Sequence, residues 1–172
     1  MTHPLVIQLR FTRSEFMRGI KGLSDEDARI RHLPLNCISW NVGHLAWQEQ
    51  EYFLFYAGQQ RIRPDIAKRF AYGAPASTPP LAEVIDAWKA ITTTADEWLD
   101  TLTSEILESH VISRGKQLAK IHGNLLHRVI YHYWYHTGEN MAIRQYLGHT
   151  NLPQFVGALD SRASYQPDTK SE

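Results

Sequence analysis

The residues best suited to chemistry in this chain are its histidines, of which there are nine. His132 and His136 lie four residues apart, so in a helix both imidazoles project from one face, one turn from each other. That spacing allows two imidazoles to hold one transition-metal ion. Exposed histidine pairs with this spacing are also common. Here Tyr131 and the aromatic residues 133–135 surround the pair, which predicts burial, and buried imidazoles need partners.

A third histidine, His44, lies near the start of another predicted helix, directly after Gly43, which would allow a backbone or ligand to approach closely. Three imidazoles from two helices leave at least one coordination position open, as in catalytic metal sites. A lone histidine is more often a core residue, so the residues alone leave both interpretations of His44 open. His127 would project away from the His132 face on an ideal helix and is not expected to share the metal.

Polar residues follow these histidines at helical spacing. Glu139 comes three residues after His136, where it could accept a hydrogen bond from the free ring nitrogen of a metal ligand. A salt bridge between Glu139 and Arg144 is an equally acceptable alternative. Gln48 follows His44 by four positions, so we expect it to border the same pocket.

Four segments with helical periodicity must position these side chains: 4–23, 39–58, 78–102 and 121–147. Ser39 and Thr78 are suitable N-cap residues for the second and third helices. Nothing between the segments alternates as a half-buried strand would, so we expect almost no strand. Residues 59–78 are polar and interrupted by Pro64 and Gly73, which predicts a long crossover without a core helix. We expect one domain over 1–152 and a surface-bound or disordered tail over 153–172.

Composition excludes several classes of function. Eighteen basic residues balance eighteen acidic ones, which leaves no field to attract nucleic acid. Cys37 is the only cysteine, so no intrachain disulfide is possible and a reducing compartment fits best. A lone cysteine is more often a small buried hydrophobe than a ligand or reactive thiol. No long apolar segment predicts a membrane span, and we expect a soluble cytoplasmic protein.

Two motifs carry a resemblance to a known family. Residues 39–46, which contain Gly-His-Leu, and residues 132–139, His-Tyr-Trp-Tyr-His-Thr-Gly-Glu, resemble the two signatures of the DinB superfamily, which includes DinB-like and YfiT-like metalloproteins. Residues 141–149 extend the match. The resemblance implies an all-α four-helix bundle of up-down-down-up topology, often a homodimer. It also implies a divalent transition metal, most often nickel or zinc, held by His44, His132 and His136.

The same resemblance implies a function. Characterised members include S-transferases and isomerases that depend on low-molecular-weight thiols such as mycothiol or bacillithiol. We therefore expect a metal-dependent enzyme, a thiol-dependent S-transferase or a hydrolase, that acts on a small electrophile. Glu139 would act in catalysis by orienting an imidazole, and the pocket would be lined by Trp47, Gln48, Tyr131 and Tyr135. The alternative is a non-catalytic metal-binding bundle that acts in a stress response through its dimer or a protein partner.

Overall fold

Helices make up most of the structure, a computed structural model that describes residues 2–166. Four of the helices are long, and short helices and one hairpin connect them. In chain order the elements are α1 (Pro4–Gly19), α2 (Asp25–Arg29), α3 (Ile38–Glu49), a π-helical segment (Gln50–Phe55), α4 (Pro64–Phe70), α5 (Leu81–Leu99), α6 (Ser104–Glu108), β1 (His110–Ser113), β2 (Lys116–Ile121), α7 (His122–Tyr146) and α8 (Leu159–Arg162). The prediction of a mostly helical chain is confirmed.

The long helices bury their periodic apolar faces against one another. α1 packs against α7, and α3 packs against both α5 and α7. On α5, the inward positions recur every three or four residues and are fully buried: Val84, Ala87, Ile91, Ala95 and Leu99. The start of α5 differs from the prediction, because Asp25 in α2, rather than Thr78, caps it by accepting a hydrogen bond of 2.7 Å from the Leu81 amide.

A buried polar network joins all four long helices, with one residue from each. The Arg13 guanidinium in α1 pairs with Glu49 in α3, where Nε donates to Oε1 at 2.8 Å. The Tyr133 hydroxyl in α7 donates to the same oxygen at 2.6 Å and accepts from the Trp88 indole in α5 at 2.5 Å. Burial raises the pKa of Tyr133, so the phenol remains protonated. The network fixes the relative register of the helices, because each member needs the others to satisfy its polar atoms.

The crossover between α3 and α5 contains a helix that the sequence did not indicate. α4 buries Ile66 and Phe70 against α3, so the prediction that no core helix lies here was wrong. Two apolar residues one turn apart are too few to show periodicity in the sequence. The Phe70 ring lies directly over Gly43, where a Cβ atom would come within 2.8 Å of its carbons. Gly43 therefore permits the close approach of α4 to α3.

A short antiparallel hairpin, β1 and β2, precedes α7, and the expectation of almost no strand missed it. Ser113 pairs with Lys116, so the loop consists of Arg114 and Gly115 alone. Both loop residues have positive φ angles, 51° and 73°. This is the conformation of a type I′ turn, which matches the natural twist of paired strands. The strands were missed because only Val111 among the β1 residues is buried, which leaves no alternating pattern.

The segment after α7 packs against α1 and α7 as far as it is described. Gln8 donates to the Ala163 carbonyl at 2.6 Å, and the Phe155 ring lies edge-on to Trp134. The predicted tail is therefore held on the helical surface at Phe155 and Ala163, and residues 167–172 lie outside the described part of the chain. Within residues 2–166, no helix combines the length and apolarity needed to cross a membrane.

Candidate metal centre

Three imidazoles converge where α3 meets α7. His132 and His136 lie one turn apart on α7, and their Nε2 atoms are 2.9 Å from each other. His44 projects from α3 toward the same point, so that one ring nitrogen from each histidine lies within 4.8 Å of the others. Among residues 2–166, this is the one group of histidine, cysteine and acidic side chains with such mutual proximity. The two motifs that are distant in sequence thus meet at one point in space.

The His44 ring is fixed on both faces and at one nitrogen. It stacks between Trp40 and Trp47, with ring centroids 4.8 and 5.3 Å away. Its Nδ1 lies 2.6 Å from the main-chain carbonyl oxygen of Phe70, which can only accept a hydrogen bond. Nδ1 therefore carries the proton, and Nε2 of His44 presents its lone pair to the other two histidines.

The two histidines of α7 are held in the same way. His132 Nδ1 lies 2.9 Å from Gln48 Oε1, and His136 Nδ1 lies 2.7 Å from Glu139 Oε2. Asn41 donates to that same carboxylate oxygen at 2.9 Å. Each imidazole thus has an acceptor of a different kind behind it: a carbonyl, an amide or a carboxylate. Acceptors at this position orient metal-ligating histidines and make their Nε2 atoms better donors of electrons.

Arg144 does not take part in this arrangement. Its guanidinium donates to the Gly19 carbonyl at 2.6 Å and to His149 at 3.1 Å, away from Glu139. The salt bridge between Glu139 and Arg144 that the sequence allowed is absent from the described structure. Cys37 is fully buried, with Sγ 3.3 Å from Ser39 Oγ, and lies outside the histidine group.

The electrostatics of the site favour neutral imidazoles. Burial lowers the pKa of His44 to about 4 and that of His132 to about 3 from an ordinary value of 6.5. At neutral pH both rings are uncharged, so the Nε2 atoms of His44 and His132, opposite their hydrogen-bonded Nδ1 atoms, present lone pairs. Three convergent imidazoles, of which those of His44 and His132 are neutral, are a suitable ligand set for a divalent transition metal, so the residues present fit such an ion.

A cavity of about 560 Å³ opens beside the histidines. The four residues that the sequence proposed for the pocket all line it: Trp47, Gln48, Tyr131 and Tyr135. The inference that aromatic residues bury the histidine helix on most sides was wrong, because Tyr131 and Tyr135 are each 67% exposed and only Tyr133 is fully buried. The exposed tyrosines leave one side of α7 accessible, so small molecules can reach His44 and His132 from solvent.

Several residues of the site were not identified from the sequence. The cavity is also lined by Tyr52, Tyr72 and Arg128. Arg128 could have been found, because it lies four residues before His132 and therefore on the same helical face. The Phe70 carbonyl could not, because a main-chain acceptor leaves no signal in the residue type. Tyr52 lies in the π-helical segment, whose altered periodicity changes the direction of the side chains that follow Glu49.

Comparison with known proteins identifies the family. No curated protein matches the chain. The model of the DinB superfamily matches residues 8–140, a span that includes most of α1, all of α3 and α5, and all three histidines. This match covers more than half of the chain, and it agrees with the two motifs and with the histidine group in which they meet. The chain therefore belongs to the DinB superfamily.

Proposed function

We propose that this protein is a metal-dependent enzyme, a thiol-dependent S-transferase that acts on a small electrophile through a site formed by His44, His132 and His136. One observation carries the proposal: three Nε2 atoms converge beside an open cavity while each Nδ1 is held by an acceptor from the protein. A structural site would close the shell with a fourth protein ligand, whereas catalytic sites keep a position open. Nickel or zinc suits the imidazole set.

The ion, when bound, supplies Lewis-acid chemistry that stabilises the deprotonated form of a thiol at neutral pH. The protein supplies the rest. Glu139 holds the Nδ1 proton of His136 and thereby fixes its ring, and Gln48 does the same for His132. Trp47 forms an aromatic wall, which limits water beside the sulfur nucleophile and gives a flat surface to an apolar electrophile.

We also propose the finer architecture that the family implies. α1, α3, α5 and α7 would form a four-helix bundle of up-down-down-up topology, with the segment that contains α4 as its long crossover. The packing of α1 on α7 and of α3 on α5 supports this arrangement. The protein would act as a cytoplasmic homodimer with a small-molecule substrate.

The test is metal content followed by thiol binding. Untagged protein should contain close to one equivalent of metal by elemental analysis, and His44→Ala, His132→Ala and His136→Ala should each lose it. His127→Ala is the matched control, because His127 lies on the same helix but is exposed and stacks on Tyr131 instead. The cobalt-substituted protein should then develop a sulfur-to-metal charge-transfer band when a low-molecular-weight thiol is added.

Other results would reject the proposal at distinct points. If the purified protein contains no metal and cannot be reconstituted with it, the three histidines do not form a metal site. Stoichiometric metal with no spectral response to any thiol would argue for a non-catalytic metal-binding protein that acts through its dimer or a protein partner.

A further inference from the structure

A single cationic side chain stands at the cavity beside the histidines. Arg128 lies on α7 one turn before His132 and lines the cavity together with Tyr52 and Tyr131. All the other lining residues are histidine, glutamine or aromatic, so no acidic side chain faces Arg128 across the space.

No acidic side chain near the cavity neutralises this guanidinium. The residues three and four positions away on α7, namely 124, 125, 131 and 132, carry no acidic group. Glu51, on the facing π-helical segment, is engaged by Arg61, whose Nη2 donates to Oε2 at 2.7 Å. In the part of the chain described, no carboxylate oxygen lies within salt-bridge distance of Arg128.

Arg128 is an exposed residue at the edge of the cavity, and its charge acts on groups that line the cavity. Burial raises the pKa of the Tyr52 hydroxyl, and the nearby Arg128 charge opposes that rise. The same charge acts on His132. A guanidinium at the edge of a cavity with aromatic walls attracts anions, and its planar fork pairs with two oxygens of one oxyacid group.

We propose that Arg128 binds an anionic oxyacid group, a carboxylate or phosphate, on the substrate. This inference rests on the proposed function and deepens it, because it names the class of substrate. Side chains one turn apart on a helix are about 5–6 Å apart at Cβ, so a chain of a few atoms spans the distance from Arg128 to the histidine group. The substrate is then a small molecule with its reacting atom at one end and a negative charge at the other.

The experiment compares two thiols of equal chain length, one that ends in a carboxylate and one that ends in a neutral hydroxyl. Zinc-loaded protein is titrated by calorimetry with 3-mercaptopropionate and with 3-mercapto-1-propanol, its neutral counterpart. Wild type should bind the carboxylate about tenfold more tightly, as expected for one charge-assisted hydrogen-bonded pair. Arg128→Gln should remove this preference, and Arg128→Lys should keep part of it. Lys89→Gln, which removes an exposed positive charge on α5 outside the cavity, should leave the preference unchanged.

A metal-free arm separates this inference from the proposed function. The apoprotein and its Arg128→Gln variant are titrated by NMR with acetate and with inorganic phosphate, and the stronger ligand identifies the oxyacid class. Binding that depends on Arg128 supports the anion site even if thiols fail at the metal, which would reject the proposed function alone. Thiol binding with no preference for charge, together with no Arg128-dependent binding of either anion, would overturn the anion site and leave the proposed function standing.

Discussion

Nδ1 of His44 lies 2.6 Å from the carbonyl oxygen of Phe70, a residue 26 positions further along the chain. The contact exists because Gly43 has no side chain, which allows the Phe70 ring to rest on the α3 backbone. The orientation of one candidate metal ligand is thus set by a segment outside the helices that carry the histidines.

Gly43→Ala should weaken metal binding without changing any ligand. The added Cβ would lie 2.8 Å from the Phe70 ring, so α4 must move and the carbonyl behind His44 moves with it. Loss of an acceptor behind a metal-ligating histidine typically weakens metal affinity by about 10–100-fold. Competition with a chromophoric zinc chelator measures the change.

Gly138→Ala is the control for this variant. Gly138 lies in the middle of α7, beside the histidines, but a Cβ there would meet nothing within 4 Å. It should stabilise the helix by about 0.5–1 kcal/mol and leave metal affinity intact. Equal metal affinity in the two alanine variants would show that the contact between Phe70 and His44 does not matter for binding.

Glu139→Ala should lower metal affinity by about 10–100-fold, because it removes the acceptor behind His136. The metal affinity of Glu139→Gln should lie between those of this variant and wild type, since an amide oxygen still accepts the hydrogen bond but carries no charge. Glu97→Ala, an exposed change on α5, provides the baseline. Wild-type affinity in Glu139→Ala would exclude a positioning role for this carboxylate.

The stability of the metal-free protein should fall as the pH is lowered. The folded-state pKa values of His44 and His132, about 4 and about 3, are lower than the ordinary 6.5. Between pH 6.5 and about 4 the unfolded chain therefore binds protons that the folded chain does not, and the free energy of unfolding decreases as the pH falls. Thermal unfolding at pH 7 and pH 5 measures the decline.

The double variant His44→Gln/His132→Gln should show a smaller decline over the same interval, whereas His127→Gln should behave like wild type. An identical decline in all three proteins would assign the pH dependence to other groups.

Arg13→Met should destabilise the metal-free protein by about 3–5 kcal/mol, because it leaves the Glu49 carboxylate buried without its cation. Adding Glu49→Gln should restore part of the loss, since the amide removes the charge and still accepts a hydrogen bond from Tyr133. Chemical denaturation gives both values. A double variant no more stable than Arg13→Met would mean that lost packing, and not the buried charge, causes the destabilisation.

Sequence reasoning was most successful where a long periodic segment carried the signal. The predicted helix 121–147 corresponds to α7 at His122–Tyr146. Once this helix is predicted, the four-residue spacing of His132 and His136 places both side chains on one face. His44 was harder, because only the family motif argued for a ligand rather than a core residue. The packing of α3 on α7 then brings His44 to the pair.

The elements that were missed are those whose stability comes from tertiary contacts. α4 has two buried apolar residues, and the β1–β2 hairpin has few inward side chains, so neither has a periodic pattern. The exposure of Tyr131 and Tyr135 was also missed, because an aromatic residue type does not by itself indicate which face of a helix is covered.

The position of Phe70 links the candidate site to local unfolding. The Phe70 carbonyl lies behind His44 only while α4, within residues 59–80, is packed on α3. An ion that binds only when His44 is correctly oriented therefore stabilises this packed state. By linkage, the packed state binds the ion more tightly by the same factor. Amide hydrogens of this segment should therefore exchange more slowly in the loaded protein, and proteases should cut it less readily. Opening of the crossover would therefore weaken ion binding, and substitutions in α4 would change the metal affinity without altering a ligand.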